Sequence, residues 1–107
     1  MNFTEITVGG PAATYAPPSQ RFRVPFAFPT AVQAAYAVVR SFHLEVASSD
    51  SEVKDVAVVL TTHFDPFQST TSGEVEVEFQ RTDTSRGGIW IKSDSIKAQI
   101  RILVIGI

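Results

Sequence analysis

The chain has 107 residues, 44% of them hydrophobic, with nine basic and eleven acidic side chains and a formal net charge of −2. That length fits one domain with a single core, and a balanced charge without runs of either sign argues against a nucleic-acid or anionic-membrane surface. Cysteine is absent, which excludes a disulfide framework, a thiol nucleophile and a thiolate metal site.

Residues 3–8 alternate Phe3, Glu5 and Thr7 with Thr4, Ile6 and Val8, a period of two that predicts a short strand. Gly9, Gly10 and Pro11 end it, and residues 11–20, with Pro11, Pro17 and Pro18, read as an irregular arm. Residues 1–20 are therefore expected to form a short strand and a Pro-rich arm, and residues 21–107 the sandwich domain.

In residues 21–28 the alternation returns, with Phe22, Val24, Phe26 and Phe28 on one parity. Pro25 makes this an edge strand or one interrupted by a bulge. Pro29 and Thr30 turn the chain into an alanine-rich stretch whose spacing suits neither period cleanly. A turn followed by a strand is preferred there over a helix, because the run leads straight into Phe42, Leu44 and Val46 on one face. Residues 48–52 are a polar turn.

The β-branched run at 53–62 has a continuous apolar centre, which predicts a strand in the middle of a sheet. Asp65 and Pro66 break it, and the Ser/Thr-rich residues 68–73 read as a hairpin-like connection with a mobile tip. In residues 74–79, Glu74, Glu76 and Glu78 alternate with Val75, Val77 and Phe79, the clearest strand signal of the chain. A turn at 82–88, a strand at 89–92, a tight turn at 93–95 and a closing strand at 96–107 complete the reading. In the closing strand Ile96, Ala98, Ile100, Ile102 and Val104 share the expected core face. On the opposite face, Lys97, Gln99 and Arg101 give way to Leu103, Ile105 and Ile107. A subunit contact would produce that change, and so would cover by the Pro-rich arm.

About six to eight short strands and no clear helix predict an all-β protein, a small antiparallel β-sandwich. No apolar stretch nears the roughly 20 residues that cross a bilayer, so membrane insertion is not expected. Residues 1–5 lack the basic region and apolar run of a secretory signal, and a cytoplasmic or non-classically secreted protein is the expectation.

No catalytic motif stands out, and a non-enzyme without cofactor or metal is expected. His43 and His63 lie twenty residues apart without a supporting ligand set, too few for a zinc site. No G-x-S-x-G elbow fixes a serine nucleophile, and the Glu74, Glu76, Glu78 row is explained by solvation. Trp90 carries the strongest hint. If Ile89 and Ile91 face the core, its indole faces outward as a plate for a pyranose ring or a partner; the alternative places Trp90 in the core. Asp83 and Arg86 before it and Asp94 after it can bind hydroxyls, and His63 with Asp65 can complete a neighbouring edge.

Several short segments resemble the H-type lectin domain, the family of discoidin and snail agglutinin carbohydrate-binding modules. Phe28-Pro29-Thr30-Ala31-Val32 is similar to its Pro-containing segment, Gly88-Ile89 stands at its Gly-plus-apolar turn, Asp94-Ser95 at its D-T/S turn, and residues 102–106 at its closing strand. The match spans about residues 22–107. It departs from the family at the N-V-T before the glycine, where Asp83-Thr84-Ser85 stands, at the aromatic before the D-T/S turn, and at the tryptophan of the last strand. The resemblance implies a six-stranded antiparallel sandwich, assembled as a trimer or hexamer, that binds galactose or N-acetylgalactosamine near subunit boundaries. The departures put sugar binding in question while leaving the fold. The main alternative is a structural or protein-interaction subunit of a viral, tail-like or toxin assembly.

Overall fold

Period-two patterning organises the whole body. The computed structural model describes residues 1–9, 14–15, 19–46, 51–85 and 96–107, and every regular element among them is a strand. These are β1 (Asn2–Val8), β2 (Thr14–Tyr15), β3 (Ser19–Ala27), β4 (Ala35–Val46), β5 (Ser51–His63), β6 (Ser72–Ser85) and β7 (Ile96–Gly106).

Strand β7 is the middle of one sheet. It pairs antiparallel with β4 on one side and, on the other, with β1 and then with β2, which continues the line of β1: Val8 stands opposite Ile100 and Thr14 opposite Ala98. Strand β6 is the middle of the second sheet, antiparallel to both β3 and β5. Setting aside the two-residue β2, six long antiparallel strands in two three-stranded sheets make a small β-sandwich, as the sequence predicted. Its Cα envelope measures 55 × 21 × 15 Å, elongated because β4, β5 and β6 run 12 to 14 residues each.

The core is what parity requires. Val75, Val77 and Phe79 of β6 are buried against Ala98, Ile100, Ile102 and Val104 of β7, joined by Ile6, Phe26, Phe28 and Val32. Each such side chain contributes roughly 1.5–3 kcal/mol by leaving water. Gly106 lets the end of β7 approach Phe28 and Val32, since a Cβ there would sit 2.7 Å from Val32 Cγ1 and 2.9 Å from Phe28 Cε2.

The expectation for residues 53–62 needs correcting. Strand β5 lies at the edge of its sheet, and Val59 is 52% exposed. A continuous apolar run marks a central strand when both faces are covered, as in parallel sheets. In a sandwich each sheet has one wet face, so the central strand alternates, as Glu74 to Phe79 do. On that wet face Val59 stands across from Glu78, which pairs with Arg21 at 3.3 Å.

Pro25 lies in edge strand β3 with its register unbroken, so no bulge is needed. Two other edge strands are interrupted: β4 shifts register between Val39 and Ser41, and β5 between Val53 and Asp55. The alanine-rich residues 31–34 form a loop rather than a helix. Gln33 and Ala34 donate to the Ile107 carbonyl at 2.7 and 3.2 Å, and Ile107 donates to Ala34 at 2.9 Å. Of the expected arm, residues 11–20, Thr14–Tyr15 pair with Ala98 and Lys97 and Ser19 and Gln20 open β3. Thr14–Tyr15 therefore lie at the start of β7 and do not cover Leu103 and Ile105. The strand expected at 89–92 and most of the turn at 48–52 lie outside the described residues.

Candidate functional site

Two of the sequence-predicted site residues, His63 and Asp65, meet at one end of the β3–β6–β5 sheet, where an open cleft of about 790 Å³ is formed. Its walls come from four pieces of chain. Strand β3 brings Arg23 and Pro25, and the end of β5 brings Thr62 and His63. The loop that follows adds Phe64, Asp65, Gln68 and Ser69, and β6 opens with Ser72, Gly73 and Glu74. Phe26 lies at the bottom, 5% exposed.

Cross-strand register explains why these residues converge. Pro25 pairs with Glu74 and Glu74 with His63, so one row crosses all three strands; the next row is Arg23, Glu76 and Thr61. All six share the wet face. Arg23 bridges the rows, with NH1 3.5 Å from Glu74 Oε2 and Nε 3.9 Å from Glu76 Oε1. His63 Nε2 approaches Glu76 Oε2 to 3.7 Å. Arg23 and His63 face three carboxylates, Glu74, Glu76 and Asp65, so the cleft offers both donors and acceptors to a polar ligand.

The loop is wired from within. The Asp65 carbonyl accepts from the N–H groups of Gln68 and Ser69 at 3.1 and 3.0 Å, and its Oδ1 accepts from Phe67 N–H at 2.9 Å. That is an Asx-turn, with proline next in sequence fixing φ. Ser69 Oγ accepts from the N–H groups of Thr71 and Ser72 at 3.4 and 3.2 Å and shares a 2.8 Å hydrogen bond with Ser72 Oγ. Thr70 and Thr71 in turn accept from Val32 and Phe28 N–H, both at 2.7 Å. The Ser/Thr-rich connection is thus hydrogen-bonded to itself and to the neighbouring loop.

The consequence is a hydrogen-bonding surface, in which the Ser69 and Ser72 hydroxyls engage each other and Ser69 Oγ also accepts from backbone. The ring of Phe67 stands at the turn between Asp65 and Gln68, 98% exposed. Sequence reasoning missed Phe67, Arg23 and Gln68. The signal for Phe67 was an aromatic placed directly after an Asp-Pro turn, where no core position is available.

Of the remaining expected site residues only Asp83 is among those described. Asp83 pairs with Val53 near the other end of β6, nine residues from Glu74 and so roughly 30 Å away. His63 and Asp65 therefore do not share an edge with Asp83 within one copy. Arg86, Trp90 and Asp94 lie outside the described residues. His43 is on the other sheet, its Nε2 3.0 Å from Glu45 Oε1. Among the described residues no group of three or more His, Cys, Asp or Glu could hold a metal ion.

Comparisons of the chain with protein-family models, with curated proteins and with solved structures find no match in any of the three.

Proposed function

We propose that this protein is a non-catalytic carbohydrate-binding sandwich and that the cleft between Arg23, His63, Asp65, Gln68 and Glu74 is a sugar site. The observation that carries the reading is the convergence of those polar groups in one open cleft, whose loop also carries the almost fully exposed Phe67 between Asp65 and Gln68. A pyranose presents vicinal hydroxyls at its rim and an apolar C–H face. At the first, carboxylates accept, an amide accepts and donates, and guanidinium donates; an aromatic ring can cover the second.

Two further points support it. The Ser69 hydroxyl is committed to backbone and to Ser72 Oγ, which suits recognition without bond breaking. Six long strands in two sheets also form the kind of body that the H-type lectin resemblance implies, and on that resemblance galactose or N-acetylgalactosamine is the sugar proposed. Asp83, Arg86, Trp90 and Asp94 make a second candidate edge within the same reading. Self-association would add avidity to shallow individual sites.

The rival role, a structural subunit of a larger assembly, draws on one observation, the apolar end of the outer face of β7. A glycan array separates the two. Wild-type protein is expected to select galactose- or N-acetylgalactosamine-terminated glycans, with the signal lost in Arg23→Ala and Trp90→Ala reporting on the second edge. Absence of any selective sugar signal from wild-type protein would reject the lectin role.

A further inference from the structure

The two sheets differ on their outer faces. Outside β3–β6–β5, Arg21, Arg23, Glu74, Glu76 and Glu78 form a paired ionic lattice. Outside β1–β7–β4, register places Phe3, Ile105 and Tyr36 in one row and Glu5, Leu103 and Val38 in the next. Phe3 is 56% exposed, Tyr36 55%, Val38 45%, and Ile107 just beyond β7 59%. The two rows thus make an apolar patch three strands wide. At its border Arg40, the extra residue of the β4 bulge, forms an ion pair with Glu5 across β7.

We infer that this patch is the contact between copies of the chain, packed face to face about a twofold axis. The size fits. Phe3 and Tyr36 expose a little over half of the roughly 150–250 Å² of an aromatic side chain, about 160–280 Å² together, and Val38, Leu103, Ile105 and Ile107 enlarge the patch; a stable contact takes about 800 Å² per partner, some two-thirds apolar for homodimers. The charge pattern fits as well, since Glu5 and Arg40 put one charge of each sign at the border. A twofold axis brings each within reach of its opposite on the second copy.

Of the four long edge strands three are blunted, β1 alone having an unbroken register without proline. Edge-to-edge pairing meets Pro25 on β3 and bulges on β4 and β5, devices that blunt sheet edges. Thr14–Tyr15 of the arm pair at Lys97 and Ala98, about seven residues or roughly 23 Å along β7 from Ile105. The inference gives a surface to the self-association invoked in the carbohydrate reading, but its test uses no sugar, so either can fail alone.

Sedimentation velocity across a concentration series provides the test, with Val38→Lys and Tyr36→Arg on the patch and Val59→Lys on the outer face of β5 as control. Wild type and Val59→Lys are expected to sediment as dimers or larger, and both patch variants as monomers with unchanged circular dichroism. A wild-type monomer throughout the series, or patch variants that assemble like wild type, would overturn the inference. Should one patch variant unfold, the other decides.

Discussion

The ring of Phe42, on β4, stacks on that of Phe79, on β6, with centroids 6.3 Å apart and planes inclined by 29°. This contact ties the two sheets together on the β4 side, beyond the fully buried Val75 and Val77. Phe79→Ala should cost about 3–5 kcal/mol, as for other buried aromatic truncations. Phe42→Ala should cost less, about 1–2 kcal/mol, because its ring is partly exposed. A double-mutant cycle by urea denaturation should return a coupling of about 0.5–1.5 kcal/mol; additivity would show that the rings do not interact.

Gly73 is required by its surroundings. A Cβ there would lie 2.5 Å from the His63 carbonyl oxygen and 2.8 Å from Phe26 Cζ. The first neighbour is backbone of a paired strand and cannot yield, so Gly73→Ala should lose about 1–3 kcal/mol. Gly106→Ala meets side-chain atoms of Val32 and Phe28 and should lose less. Thermal melts of the two variants check the order.

The turn at Asp65 gives a prediction with an internal control. Asp65→Ala removes the acceptor for Phe67 N–H and should cost about 1 kcal/mol, whereas Asp65→Asn keeps an acceptor oxygen and most of the stability. Hydrogen exchange at the Phe67 amide should speed up in the first variant and change little in the second.

The ionic lattice outside β3–β6–β5 is expected to matter little for folding. Arg23 is more than half exposed and its ion-pair distances are 3.5 and 3.9 Å, so Arg23→Ala should change stability by less than about 1 kcal/mol. A chemical melt near wild type would qualify that variant as a clean reporter of ligand binding.

Parity made much of this body legible before any coordinates. Val75, Val77 and Phe79 and the series from Ala98 to Val104 point where alternation sends them. The place of β5 was misjudged because an apolar run reports low polarity and not which strands flank it; Val59 is tolerated on a wet face beside Glu78. Half of the apolar patch was visible in Leu103, Ile105 and Ile107. The other half, Phe3, Tyr36 and Val38, belongs to strands brought in from both sides, and only register could add them. The cleft was least legible. His63 and Asp65 are neighbours in sequence, but Arg23 lies forty residues earlier and reaches them through two strand pairings, and the loop's internal hydrogen bonds rest on Ser69 contacts that composition does not reveal.

The central claim, a sugar site in the cleft, is met most directly by titrating isotope-labelled protein with methyl galactoside or N-acetylgalactosamine and following backbone amide shifts by NMR. Saturable shifts concentrated at Arg23, at residues 62–69 and at residues 72–74, and abolished by Arg23→Ala, are the predicted result. No saturable shift with either sugar, or shifts confined to residues away from this cleft, would contradict it.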